Sequence, residues 1–280
     1  KNLNAATSML NKSIERMTTG YKINHAADNA AGYSIATTWK TQLGSLDVAS
    51  DNASTGADML TTLEDTYSLI TSHLQRVRDL TEQAANGTYG SDSLKAIASE
   101  ITARLEEIDR ISANCEFNGL KMMDGSLTDD INLQVGLYSD AASRIALDAS
   151  LFQNGHVSAL FKTFGGVGGA TVAEVAKLCS GYDGKQITGG QNEMLNKIDA
   201  VISEISARTT TLGAAQNRIE SAVESINVQS ENITSSLSTL RDADVAEESS
   251  NYIKAQILQQ ASATLLATAN QTPSIALNLL

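Results

Sequence analysis

The chain has 280 residues, a formal net charge of −12, a single proline and only 4% aromatic residues. The negative charge argues against nucleic-acid partners and anionic membrane surfaces, because both are bound through Lys and Arg side chains that neutralise phosphate groups. No run of about 18 apolar residues is present, so no transmembrane helix is expected. Rare prolines and few aromatics favour long uninterrupted helices that pack through narrow apolar seams.

The first predicted element is an amphipathic helix over residues 1–19, which Gly20 stops at its C-terminal end. Residues 21–33 are small and polar and are interpreted as a connector. Helical periodicity resumes at Ser34 and ends at the turn formers of 86–91.

In this second helix, apolar positions repeat at alternating steps of three and four residues, a line that we call a seam. Such spacing keeps one stripe of the helix facing a partner helix along its whole length. The seam consists of Leu60, Leu63, Tyr67, Ile70, Leu74, Val77, Thr81 and Ala84.

A third helix is predicted over about 92–114, with Asp92 or Ser93 as its N-cap. Its apolar side comprises Leu94, Ile97, Ile101, Leu105, Ile108 and either Ser112 or Cys115. Turns are expected at Asn118-Gly119 and Asp124-Gly125. Apolar residues then alternate at period two on both sides of a further turn, which predicts a β-hairpin over 131–149.

The middle of the chain has a different composition. Residues 165–190 contain eight of the nineteen glycines, which predicts a loop or a small, reduced insertion because glycine weakens helices. Cys179 lies in this stretch and is expected to be accessible. Cys115, at the end of the third helix, is expected to be a small buried apolar residue instead.

The longest seam lies in residues 193–240. Its apolar members are Leu195, Ile198, Ile202, Ile205, Leu212, Ile219, Val223, Ile226, Ile233, Leu237 and Leu240, with Thr209, Gln216 and Ser230 completing the pattern. At 1.5 Å per residue such a helix is roughly 70 Å long and needs other long helices as partners.

A break near 240–244 precedes a last helix, which is rich in apolar residues. These patterns together predict a mainly α fold, a long antiparallel coiled-coil helix bundle formed by both ends of the chain, with a small β-hairpin region.

No sequence motif supports catalysis, a metal site or a cofactor. His25, His73 and His156 lack the spacing of a zinc protease. The connector 21–33 has neither the acidic spacing of a Ca²⁺ loop nor the Lys-Ser/Thr of a phosphate loop. The Gly165–Gly169 stretch lacks the flanking strand and acid of a dinucleotide site. An enzyme is therefore not expected.

Several stretches resemble bacterial flagellin, in the order in which that family carries them. IERMTTG at 14–20 and KINHAADNAAG at 22–32 are similar to the family's IERLSSG and RINSAKDDAAG. Further matches are QRVRDL at 75–80, FNG at 117–119, LGAAQNR at 212–218, AQILQQA at 255–261 and ANQ at 269–271. The resemblance covers about 1–150 and 190–280.

The resemblance implies a secreted, self-assembling structural protein of the extracellular bacterial flagellum, which gives motility and is exported by the flagellum's own type III system. Residues 1–30 and 242–280 are expected to be terminal helices of the inner filament tube. Residues 31–160 and 191–241 are expected to form a rod-like core domain that includes the hairpin, with 161–190 as a Gly-rich, reduced central insertion.

Partners also follow from the resemblance. They are further copies of the chain, an export chaperone at the C-terminal helix, and the filament cap and hook-junction proteins. Apolar seams at both termini with too few internal partners are expected to stay exposed in a single subunit. Stacking many copies buries these residues, which stabilises the assembly by about 25 cal/mol per Å² of apolar surface removed from water.

The resemblance further implies recognition by the innate immune receptor Toll-like receptor 5. The positions that match the family's receptor contacts are Gln75, Arg76, Asp79, Leu80, Gln83, Ile97 and Glu100. Leu80 lies beside the seam of the second helix and is expected to be partly exposed. The alternative interpretation is that these residues serve filament packing, with Arg76 and Glu100 as an ordinary surface pair.

Two other kinds of protein fit parts of the pattern. A hook–filament junction protein shares related terminal helices, although the AQILQQA and QRVRDL stretches favour flagellin. A secreted adhesin or immune-modulating ligand built on the same scaffold is the second alternative.

Overall fold

The computed structural model describes residues 1–165, 171–182 and 190–277, and in these ranges the chain is mainly helical, as predicted. None of the helices described there is apolar enough over a sufficient length to cross a membrane. The helices are α1 (Asn2–Thr19), α2 (Ala30–Ala85), α3 (Ser91–Asn114), α4 (Val157–Gly165), α5 (Val172–Ser180), α6 (Gln191–Arg241) and α7 (Val245–Leu277). The strands are β1 (Glu116–Phe117), β2 (Leu120–Lys121), β3 (Ile131–Gln134) and β4 (Arg144–Leu147).

The helix ends have local causes. Gly20 closes α1 in the left-handed region at φ 74, where its N–H donates to Arg16 O at 2.8 Å. Helix α2 begins at Ala30, four residues before the predicted start. The predicted N-cap of α3 is wrong, because Gly90 occupies that position and Asp92 lies in the first turn. A carboxylate there still interacts favourably with the helix dipole.

Two compact units make up the chain, residues 1–46 with 227–280 (unit 1) and residues 47–226 (unit 2). Unit 2 holds most of the apolar core. All eight seam positions predicted in α2 are buried, and so is the whole predicted apolar side of α3, with Cys115 buried as expected.

The predicted β-hairpin is present in unit 2 and is held against α2. Strands β3 and β4 pair antiparallel with Ile131 opposite Leu147. Asn52 of α2 donates from Nδ2 to Gln134 O at 3.1 Å. The side chain of Leu133 occupies the space that a Cβ at Gly56 would need, so the hairpin approaches the α2 backbone closely. A second, shorter hairpin joins β1 to β2 through the predicted Asn118-Gly119 turn.

Of the two alternatives predicted for 165–190, a loop or a small, reduced insertion, the loop is wrong at Val172–Ser180, which form helix α5. Helix α5 forms because Thr171 and Glu174 make a capping box, in which Glu174 N–H donates to Thr171 Oγ1 at 3.3 Å and Thr171 N–H donates to Glu174 Oε2 at 2.8 Å. Cys179 lies on the buried face of α5, so its expected accessibility is also wrong. Residues 166–170 and 183–189, where most of the glycines fall, lie outside the described residues.

Helix α6 runs antiparallel to α2 within unit 2, since Gln216 Nε2 donates to Glu64 Oε2 at 2.9 Å and Arg78 pairs with Asp199 at 2.6 Å. From Ile198 to Ile226 its seam is buried at every seventh position, and the other apolar seam members are half-buried. The buried members are Ile198, Ile205, Leu212, Ile219 and Ile226, and the half-buried ones are Leu195, Ile202, Val223, Ile233, Leu237 and Leu240.

Candidate functional site

In unit 1, α1 and α7 pack together through a face made of small and polar residues. Ala6 and Ser13 of α1 are buried, as are Glu248 and Ala255 of α7. Gln259 Nε2 donates to Thr7 Oγ1 across the pair at 3.2 Å. Small side chains let the two helices approach closely, but they remove little apolar area from water.

A charged contact lies at one end of this face. Arg16 Nη1 is 2.8 Å from Glu248 Oε1, and the Glu248 side chain is only 8% exposed. Arg16 Nε is buried without a protein partner among the described residues. Removing either charge therefore leaves the other partly desolvated and unpaired.

Most of the large apolar residues of α1 and α7 are exposed to solvent. Of the seventeen large apolar side chains exposed in the described part of the chain, six lie before residue 47 and seven after residue 226. On the two terminal helices they are Met9, Ile14, Met17, Val245, Ile253, Ile257, Leu258, Leu265 and Leu266. This is the exposure expected of a subunit whose terminal apolar residues lack internal partners. Contiguous exposed apolar surface of this kind marks an interaction site.

Next to this apolar surface, a groove of about 270 Å³ lies between α1 and α7. Its lining includes Met9 and Leu258 together with the cations of Lys12, Arg16 and Lys254. The groove therefore combines apolar groups with these three cations and the Glu248 carboxylate.

The chain segments that follow α1 and α6 are fastened to each other. Lys22 N–H donates to Arg241 O at 2.7 Å, and Ala243 N–H donates to Gly20 O at 2.8 Å. The Arg241 guanidinium lies 4.1 Å from the centroid of the Tyr21 ring, a cation–π contact. These contacts fix the two connections of unit 1 side by side.

Asp28 ties the rest of the N-terminal connector back to α1. Its carboxylate lies 2.7 Å from Lys12 Nζ and accepts the backbone N–H groups of Asn24 and His25 at 3.2 Å each. The hydrogen bond from Lys12, followed by that from the His25 backbone, lowers the pKa of Asp28 to about 2. The connector is a pinned segment, in keeping with its sequence-based interpretation as a structural one.

The second candidate surface lies on α2 and α3 in unit 2. Arg76 donates from Nε to Glu100 Oε1 at 2.9 Å, so this pair bridges the two helices at the protein surface. Gln83 Nε2 donates to the Tyr89 hydroxyl at 2.8 Å. Gln75 and Asp79 are also exposed. The structure thus places these polar receptor-matching residues on one exposed hairpin.

The two apolar members of the receptor-matching set are placed differently. Leu80 is 2% exposed and Ile97 is 8% exposed, so both belong to the core of unit 2. The expected partial exposure of Leu80 is wrong. Leu80 and the seam residue Thr81 are both buried, which shows that the buried stripe of α2 is wider at this level than the seam alone.

Among the described residues, no three His, Cys, Asp or Glu side chains are grouped closely enough to hold a metal ion. The sequence analysis missed the Arg16–Glu248 pair and the contact of Tyr21 with Arg241. Single residues more than 200 positions apart carry no spacing pattern that would reveal such pairs.

Residues 1–128 match the family model described as the bacterial flagellin N-terminal helical region, and residues 195–280 match the bacterial flagellin C-terminal helical region. A flagellin of Bacillus subtilis is 33% identical, over 99% of this chain and 95% of that protein. A flagellin of Listeria innocua is 32% identical, over 93% of this chain and 88% of that protein.

The fold is also similar to a solved structure of a putative flagellar hook-associated protein from Vibrio parahaemolyticus. The TM-score is 0.64 at 13% identity, covering 77% of this chain and 100% of that one. Identity this low shows a shared fold alone.

Proposed function

The chain belongs to the bacterial flagellin family, and because it is therefore a structural subunit of the flagellar filament and not an enzyme, we propose that it polymerises through the apolar faces of α1 and α7. The family membership implies an extracellular location, in the filament. We infer that residues 1–30 and 242–280 form the inner tube of that filament. Residues 31–160 and 191–241 form the rod-like core around it, with 161–190 as the reduced central insertion.

This proposal rests on the distribution of side chains in the α1–α7 pair, which is the opposite of that in an ordinary protein core. Its interior is small and polar, whereas its exterior carries Met9, Ile253 and Ile257 at 60%, 54% and 60% exposure. Burying such side chains between copies contributes about 25 cal/mol per Å². Contacts that repeat without closing into a ring give a filament.

Electron microscopy of the purified protein in a salting-out salt tests this proposal. Such salts strengthen the burial of apolar surface, so the expected result is long tubes of uniform diameter. Folded monomers or short caps alone, under conditions in which a control flagellin polymerises, contradict it. That outcome favours the alternative role of a hook–filament junction protein. The fold of this chain is similar to that of a putative flagellar hook-associated protein.

We further propose that the chain is a ligand of Toll-like receptor 5 through the α2–α3 surface. The exposed Arg76–Glu100 bridge supports this assignment, together with the exposed side chains of Gln75, Asp79 and Gln83. Leu80 and Ile97 act as supporting core residues beneath this surface. Because exposed ion pairs contribute little to folding stability, the Arg76→Ala/Glu100→Ala variant is expected to stay folded and to lose binding to the soluble receptor ectodomain. Unchanged binding contradicts the proposal.

An export chaperone, the filament cap and the hook-junction proteins are the remaining proposed partners. The exposed apolar residues of α7, from Ile253 to Leu266, are a suitable docking face for a chaperone before assembly. Such a chaperone is expected to keep the subunit monomeric and to be displaced by polymerisation, which co-sedimentation measures.

A further inference from the structure

The chain contains three Asn-Gly steps, and the structure gives them different surroundings. They are Asn86-Gly87 between α2 and α3, Asn118-Gly119 between β1 and β2, and Asn154-Gly155 before α4. Because glycine has no side chain, the backbone nitrogen that follows such an asparagine can approach the asparagine side chain without hindrance. Whether the two groups react then depends on the hydrogen bonds that hold them.

At Asn86 the turn brings the two groups together and leaves them free. Asn86 Oδ1 accepts the Thr88 N–H at 3.2 Å, which folds the side-chain carbonyl over the Gly87 peptide. The Tyr89 N–H donates to Asn86 O at 3.3 Å and closes the turn. Among the described residues, neither the Gly87 N–H nor Asn86 Nδ2 has a hydrogen-bond partner, and both residues are exposed.

Asn154 lies in the same kind of turn, but its groups are held. Asn154 Oδ1 accepts the His156 N–H at 2.8 Å. The Gly155 N–H, however, donates to Met123 O at 3.0 Å. Asn154 Nδ2 donates to Asp124 O at 3.2 Å, and Gly155 is buried. The two nitrogens that would have to react at this step are therefore both occupied.

Asn118 is exposed, like Asn86, but it lacks the contact that polarises the amide. In the described part of the chain, no N–H or O–H group donates to Asn118 Oδ1. The tight β1–β2 turn holds Asn118 at φ 49 and Gly119 at φ 82, both in the left-handed region. The three steps therefore share a sequence and differ in reactivity.

We propose that Asn86 is a site of spontaneous deamidation in the folded protein. The Gly87 nitrogen gives its proton to hydroxide and bonds to Asn86 Cγ, while the Thr88 N–H stabilises the negative charge that develops on Oδ1. The Cγ–Nδ2 bond breaks, and the nitrogen takes up a proton and leaves as ammonia. Water then opens the five-membered imide to aspartate or isoaspartate. Nothing is oxidised or reduced.

The product changes the connection between α2 and α3. It places a negative charge directly after the C-terminus of α2, where the helix dipole disfavours it. Isoaspartate also lengthens the backbone of the turn by one carbon. The hydrogen bond from Gln83 Nε2 to the Tyr89 hydroxyl, which spans the turn at 2.8 Å, is therefore expected to weaken. This inference is independent of the polymerisation and the receptor binding proposed above.

The test incubates the purified full chain at mildly alkaline pH and follows the three asparagines by mass spectrometry of tryptic peptides. Cleavage after Lys and Arg places them on separate peptides, 79–95, 111–121 and 145–162. Deamidation at Asn86 is expected to be about 3- to 10-fold faster than at Asn118, which lacks one hydrogen bond, and at least about 10-fold faster than at Asn154. In urea, which removes these contacts, the three rates are expected to be similar.

Gly87→Ala is the matched variant. A Cβ at Gly87 meets no atom within 4 Å, so the fold is expected to stay intact, while the methyl group hinders attack by the adjacent nitrogen. The expected result is loss of deamidation at Asn86, with unchanged rates at Asn118 and Asn154. The proposal is overturned if Asn86 in the folded parent reacts no faster than either of the other two asparagines. A Gly87→Ala protein that deamidates at the parent's rate also overturns it.

Discussion

Arg16 of α1 and Glu248 of α7 form an ion pair at 2.8 Å across 232 positions of sequence, and this pair joins the two helices. Around it the interface offers Ala6, Ser13 and Ala255. An interface with so little apolar area depends strongly on its polar contacts, because each unpaired buried group costs free energy.

Replacing Arg16 by Met is therefore expected to loosen the α1–α7 pair. It leaves the Glu248 carboxylate buried and unpaired, at a cost of about 1–3 kcal/mol. Hydrogen exchange of the α7 backbone, followed by mass spectrometry, measures this loss as faster exchange. The double change Arg16→Met/Glu248→Met is expected to exchange more slowly than the single change, since no unpaired charge remains.

Arg110→Ala is the matched control, because the Arg110–Glu107 pair is exposed and lies within α3. Exposed pairs of this kind contribute little, so exchange in α7 is expected to stay unchanged. Equal exchange rates in Arg16→Met and Arg110→Ala would remove the special role assigned to the Arg16–Glu248 pair.

The second prediction concerns Leu80, which the structure places in the core. Leu80→Ala is expected to lower the free energy of unfolding of unit 2 by about 2–4 kcal/mol, as buried leucines do when truncated. Leu69 is the control, since it lies on the same helix and is 54% exposed. Leu69→Ala is expected to change that free energy by less than about 0.5 kcal/mol. Denaturant unfolding followed by circular dichroism measures both, and equal effects contradict the assignment.

The helical periodicity was enough to predict the interior of α2 and α3. The predicted seam positions follow steps of three and four and are all buried, whereas the leucines of α2 outside the seam divide between the core (Leu80) and the surface (Leu69, 54% exposed). The stripe of α6 was predicted less completely. Met194 and Val201 are buried, whereas their neighbours Leu195 and Ile202 are half-buried. Apolar residues stand on both flanks of this stripe, so its pattern alone does not tell which flank faces the bundle more deeply.

Helix α5 and the exposure of Cys179 were mispredicted because the glycines around them dominated the composition. The capping box Thr171-Val172-Ala173-Glu174 was present in the sequence and is the pattern that indicates a helix start. The outward direction of the apolar residues of α7 follows from a different cause. The buried positions of its intramolecular partner α1 are Ala6 and Ser13, so most of the larger side chains of α7 stay exposed.

The third prediction uses the Asp28 carboxylate, whose pKa of about 2 lies below its ordinary value of 3.8. A carboxyl group whose pKa is lower in the folded state stabilises that state at pH values above its unfolded-state pKa. This contribution is lost as the pH falls from about 4 to 2. The connector 21–29 is therefore expected to open towards proteases active in acid over this range. In the Asp28→Asn variant, the connector is expected to be open to these proteases already at pH 5.

Lys12→Ala provides the matched test of the cause. Without the Lys12 hydrogen bond, the pKa of Asp28 is expected to rise towards its ordinary value, and the acid-dependent opening is expected to begin at higher pH. Carbon-13 NMR of the carboxyl group measures the titration directly. An unchanged titration in Lys12→Ala would assign the low pKa to the backbone N–H groups of Asn24 and His25 instead.

The last prediction separates folding from assembly with two identical substitutions. Ile257 of α7 is 60% exposed, whereas Ile198 of α6 is fully buried. Ile198→Ser is expected to cost about 3–5 kcal/mol of monomer stability, because it leaves a cavity and a buried hydroxyl. Ile257→Ser is expected to change monomer stability by less than about 0.5 kcal/mol.

Of the two substitutions, Ile257→Ser is the one expected to weaken assembly of the folded subunit. If the α7 face is buried between copies, losing one isoleucine removes about 1.5–3 kcal/mol per added subunit. The critical concentration for filament growth then rises about 10- to 100-fold, since each 1.4 kcal/mol is a factor of ten. Sedimentation of filaments at increasing protein concentration measures it. An Ile257→Ser protein that polymerises at the parent's critical concentration would show that this face stays open in the filament, and would move the subunit contact elsewhere on unit 1.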